Sequence, residues 1–190
     1  LLLGVADVKS ELPRLKGIID RSEERLKEIH RMELEELERR AARHGDSVPR
    51  GVQRQLEAAR GKTYWQDTTL WHALRARARM GVKEDVQRCI DMVASHPHPD
   101  ARGAGLLSSL SYVRQPEVVS YISEYLDDDT MPSRGGSSDV VVDSYAAYAA
   151  SALASMLEGF PLKSYRTSQP EKLKVARNWM AEQTEWKITR

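Results

Sequence analysis

His96, His98 and Asp100 occupy alternate positions in the run HPHPD, where two imidazoles and a carboxylate could face one metal ion. A stiff turn between helices has the same composition, and no fourth ligand is marked, so no metal or other cofactor is assigned. Asp127, Asp128 and Asp129 offer hard oxygen ligands, yet no calcium-loop spacing follows them, and a solvated acidic run is expected. Trp71, Arg75 and Arg79 fall at i, i+4 and i+8, one stripe of a helix, with Arg77 to the side and Tyr64 and Trp65 upstream. Rings beside guanidinium groups stack on bases and hold phosphates. The same stripe also suits a Trp packed between helices with its arginines bridging to Glu57, Asp85 or the N-terminal helix. Residues 63–130 hold seven Lys/Arg against ten Asp/Glu, so nucleic acid is the weaker expectation there.

Tyr121 and Tyr125 share a helix face, Tyr145 and Tyr148 nearly share one, and Tyr112 lies close upstream. Tyrosine suits recognition surfaces because it combines area, a hydroxyl and little entropy loss. Packing between helices accounts for the same cluster. No paired Ser/His/Asp, Cys/His or glycine-rich phosphate loop stands in its required context, and no enzymatic activity is expected. Cys89 lies in the apolar frame of Val86, Ile90 and Val93, where a thiol is inert.

The elements that carry these residues follow from composition and period. The chain has 190 residues, 29 Lys/Arg and 28 Asp/Glu for a net charge of +1, and a mean hydropathy of −0.56. That length suits one domain or a short repeat array, and no apolar run reaches the roughly 18 residues of a membrane span. Its single cysteine excludes an intrachain disulfide and a thiolate-rich zinc site. The opening LLLGVA has small residues Gly4 and Ala6 at a spacing signal peptidases favour. An apolar lead-in packed on the body is the alternative, with a cytoplasmic chain favoured over an exported one.

Val5, Val8, Leu12, Leu15, Ile19, Leu26 and Ile29 form a heptad-like seam, resumed one residue late at Leu34, Leu37, Ala41 and His44. The slip predicts a long helix that bends or packs on two surfaces, with Ser10 as its cap, Pro13 in its first turn and Gly45 at its end. Opposite charges at i, i+4 should stiffen its outer face: Lys16 with Asp20, Glu23 with Lys27, Glu35 with Arg39, Glu36 with Arg40. Residues 1–45 are thus one long amphipathic helix, and residues 46–67 a connector with a short helix. Residues 68–190 are a helical domain with expected helices over 69–80, 82–95, 100–113, 116–126, 139–157 and 171–183.

Pair starts near Thr69, Asp100 and Asp139 are separated by 31 and 39 residues. Asp100, Ala101 and Arg102 open the second pair, small and aliphatic residues from Ala104 to Leu110 follow, and QPEVV (Gln115 to Val119) introduces its second helix. On these residues the segment 68–183 resembles the HEAT-repeat family, although the first pair lacks the Asp-x-Arg opening and the third has Val140 and Val141 in its place. The resemblance implies an all-α solenoid of about three antiparallel helix pairs behind the long N-terminal helix; an irregular helical bundle is the alternative. It also implies an adaptor, scaffold or inhibitor that binds a protein partner; helical spacing makes Tyr121 and Tyr125 the expected contacts, with Arg75 and Arg79 as a polar rim and Trp71 beside them. Two alternatives remain: nucleic-acid binding through the Trp/Arg stripe, and a homo-oligomer formed by pairing the residue 5–29 seam between chains.

Overall fold

The computed structural model describes residues 9–45, 47–60, 68–95, 106–131, 143–162 and 170–189. The helix order is α1 (Leu12–Ala42), α2 (Arg50–Arg60), α3 (Thr68–Arg79), α4 (Lys83–Ala94), a single turn α5 (Leu107–Leu110), α6 (Pro116–Ser123), α7 (Tyr145–Met156) and α8 (Pro170–Glu182). Short 3-10 turns precede α1 at Lys9–Glu11 and follow α5 and α6 at Ser111–Val113 and Glu124–Asp127. The described residues are all-helical apart from one antiparallel bridge between Leu157 and Ile188, and among them no helix is long and apolar enough to cross a membrane. The segment 1–8, Tyr64, Trp65, the His96, His98 and Asp100 motif, the Asp100–Arg102 opening and Asp139 lie outside the described residues.

α1 is one helix of 31 residues, about 46 Å long at 1.5 Å per residue. Glu11, not Ser10, holds its N-cap position, and no side chain caps it; Pro13 sits where the N–H would have no partner. Its first half buries Leu15, Ile19 and Ser22 against the body, where α1 packs on α3, and its second half buries Leu37 where α2 turns back onto it. One helix therefore serves two surfaces, as the slip after Ile29 requires. Of the seam offered as a pairing surface between chains, Leu15 and Ile19 pack within the chain. Ile29, expected in that seam, is 51% exposed, since contact with the body fades after half-buried Leu26. Lys16–Asp20 and Glu36–Arg40 pair as expected; Glu35 instead meets Arg31, and Glu23 meets Arg88 of α4.

α3 and α4 form a hairpin closed by Gly81, whose positive φ of 89° suits a residue without Cβ. α3 packs against the 111–113 turn, and α4 against α5 and α6. α7 is apolar nearly all round: Ala146, Ala149, Ala150, Leu153 and Met156 are fully buried, and the helix touches α5, α6 and α8. Its alanines allow close backbone approach without loss of helix propensity. Ser144 Oγ accepts the Ala147 N–H at 3.3 Å, while the Asp128 and Thr130 carbonyls accept the N–H groups of Ala146 and Tyr145, so the buried start of α7 is satisfied. At the other end the chain returns along α7: Thr189 donates from its N–H at 2.7 Å and its hydroxyl at 3.0 Å to the Met156 carbonyl.

Candidate functional site

The Trp71, Arg75 and Arg79 stripe folds inward. α3 presents it to the 3-10 turn at Ser111–Val113, so the guanidinium of Arg75 lies 5.2 Å from the Trp71 ring centroid and 5.3 Å from that of Tyr112. Its Nη1 donates to the Ser109 carbonyl at 2.8 Å, and its Nη2 donates to His72 Nδ1. One turn on, Arg79 stacks 5.0 Å from the same Tyr112 ring and donates to the Tyr112 carbonyl at 2.8 Å. Gln115 completes the seam by donating from Nε2 to the Arg79 carbonyl at 3.0 Å. Burial pulls Arg75 below the ordinary arginine range, and burial together with the neighbouring Arg75 charge does the same to His72. The arginine donors close carbonyl groups of α5 and the turn after it, and Gln115 closes one at the end of α3. As placed, the stripe is a buttress between consecutive helix pairs rather than an open phosphate cradle.

Arg77, set to one side by the periodicity, reaches Asp85 at 3.0 Å. Asp85 is 3% exposed and also lies 3.8 Å from Arg88, which pairs with Glu23 of α1. The chain of charges joins α1, α3 and α4. Burial raises the Asp85 carboxyl above its usual range, with Arg77 and Arg88 pulling the other way.

Tyr121 and Tyr125 do share a face of α6 and the following turn. Their hydroxyls are 2.9 Å apart and their rings meet edge-on at 5.5 Å; Tyr125 also lies 6.2 Å from Tyr145. Both are half-buried, so each keeps an edge toward solvent while its body packs on the core. The stripe and the tyrosine pair are not one surface in the contacts they make: the first faces the 111–113 turn, the second faces α7. Asp127 and Asp129 receive Arg177 of α8 at 3.2 and 2.7 Å, and Arg177 also donates to the Leu126 carbonyl at 2.7 Å. The acidic run is a docking point for α8 and not simply a solvated stretch.

Cys89 is fully buried and burial pushes its thiol up to about 12, which makes it a core residue at neutral pH. Among the described residues no group of three or more His, Cys, Asp or Glu gathers to hold a metal ion.

The feature that periodicity misses lies on α1. Ile29 and Met32 are one turn apart on the same face, 51% and 57% exposed. Arg31 is drawn between Glu28 and Glu35 beside them. The signal in the sequence is the register slip at Ile29, where the seam that buries Leu15 and Ile19 gives way to the one that buries Leu37. No family model, curated protein or solved structure matches this chain.

Proposed function

We propose that this chain is a non-enzymatic helical module that binds another protein, a scaffold, adaptor or inhibitor. The observation that carries it is the Ile29 and Met32 pair, large apolar side chains held in solvent on a helix whose neighbouring positions are charged. An apolar centre with a polar rim is the composition of a contact surface, and methionine adapts its shape to a partner. Because α1 runs about 46 Å while the helix it packs on, α3, has 12 residues or about 18 Å, the pair stands on the part of α1 farther from its buried seam. Tyr121 and Tyr125 offer a second, smaller edge on α6. The α3 and α4 hairpin, with α4 packed on α5 and α6 and both of these on α7, supports a HEAT-like stack behind this rib.

The experiment is affinity capture from nuclease-treated lysate of the source cells, read by quantitative mass spectrometry, with the wild-type chain and an Ile29→Asp, Met32→Asp variant as baits. A protein retained by the first and depleted about tenfold or more with the second supports the proposal, since an anchor in an interface centre contributes about 2 kcal/mol or more. Prey sets identical for the two baits overturn it.

A further inference from the structure

The net charge of +1 conceals a polarised molecule. Residues 39–54, where α1 ends and α2 begins, contain five arginines and one acidic residue, Asp46, leaving the other 174 residues with 24 basic against 27 acidic. Arg39, Arg40, Arg43, Arg50 and Arg54 are all exposed. Arg39 and Arg40 share Glu36, at 3.3 and 3.0 Å, whereas Arg43, Arg50 and Arg54 form no ion pair with any described residue. Helix electrostatics accounts for the first three, because cations at a helix C-terminus complement its dipole. It opposes Arg50, which lies in the first turn of α2 at the positive end of its dipole with no acidic residue in that turn to compensate, and gives Arg54, one turn on, no support. Local folding thus gains nothing from them, and a bound anion would relieve the repulsion.

We infer that this end of the α1 and α2 pair binds the phosphate backbone of duplex nucleic acid. Every cation in the cluster is arginine, whose planar fork matches phosphate oxygens two at a time. Between them stand Ala41, Ala42, Gly45, Val48 and Pro49, without the Trp, Phe or Leu that would enter a lipid boundary. Its one ring is the imidazole of His44, and no Trp, Tyr or Phe stands there to carry successive unstacked bases, which sets it apart from single-strand platforms. What remains is contact with regularly spaced phosphates and no reading of sequence. The surface is separate from the Ile29 and Met32 pair and does not depend on the protein-binding proposal.

The test is fluorescence anisotropy of the full chain with a labelled 20-base-pair DNA duplex of mixed sequence, titrated from 50 to 200 mM salt. Three to five phosphate contacts give a slope of about −2.7 to −4.5 in log K against log salt, a loss of about 40- to 500-fold across that range. Arg43→Gln, Arg50→Gln and Arg54→Gln together are expected to weaken binding at 50 mM salt at least tenfold and to flatten the slope by about 2.7. Lys27→Gln, Lys83→Gln and Lys174→Gln, which remove the same charge from exposed sites elsewhere, are expected to leave both within about twofold. Both triple variants are expected to keep the parent's helical circular-dichroism spectrum, which separates loss of binding from loss of fold. Equal losses from the two variants, a slope near zero, or tighter binding to phosphatidylserine vesicles or polyglutamate than to the duplex would each overturn the inference.

Discussion

Arg79 holds Tyr112 twice, stacking 5.0 Å from its ring centroid and donating to its backbone carbonyl at 2.8 Å. With Arg75 on the same ring, two arginines from α3 fix the turn between α5 and α6. Tyr112→Ala removes both cation–π contacts and opens a gap, and is expected to destabilise the fold by about 2–3 kcal/mol. Tyr112→Phe keeps the ring and should stay within about 0.5 kcal/mol of the parent in urea unfolding. Equal effects of the two variants would show that the ring carries no part of the buttress.

His72 makes this buttress sensitive to acid. Its pKa lies below the ordinary 6.5 in the folded chain because of burial and the adjacent Arg75 charge, so the unfolded chain takes up the proton first as pH falls. Stability from this group is complete above about pH 6.5 and is lost as pH drops toward the folded value. His72→Gln is expected to flatten the stability profile between pH 7 and 5, measured by urea midpoint. A variant whose profile tracks that of the parent would place the acid sensitivity elsewhere.

Two isoleucines on one helix separate its two roles. Ile19 is 1% exposed and Ile29 51%. Ile19→Ala should cost about 2–5 kcal/mol, while Ile29→Ala should shift stability by no more than about 0.5 kcal/mol. Comparable losses at both positions would mean that Ile29 is buried after all.

The contrast between those residues shows how far the sequence could be read. Period alone placed a long helix over the N-terminal residues, the glycine stops at Gly45 and Gly81, and the apolar stripe of α7 from Tyr145 to Met156. It could not say what the seam packs on, because a heptad pattern is the same whether its partner is a second chain or α3. The Trp71, Arg75 and Arg79 stripe was legible as a stripe for the same reason, while its partners, the carbonyls of Ser109 and Tyr112, are backbone groups 34 and 33 residues away that no side-chain pattern marks. Arg177 was likewise invisible as the partner of Asp127 and Asp129, 48 residues from the latter.

Burial also fixes the chemistry of the single thiol. With its pKa pushed up to about 12, Cys89 should react with a thiol reagent at pH 8 only through opening of the core. One equivalent is expected to react promptly in 6 M guanidinium chloride and less than about a tenth over the same interval in buffer. Rapid reaction without denaturant would place Cys89 at the surface.

The most direct test of the protein-binding proposal is a photo-crosslinking residue placed at Met32, compared with one at Lys83, an exposed position on α4. Irradiation in nuclease-treated source lysate is expected to give a discrete protein adduct from position 32 that is missing from position 83. No adduct at position 32, or the same adducts from both positions, would contradict a contact surface centred on Ile29 and Met32.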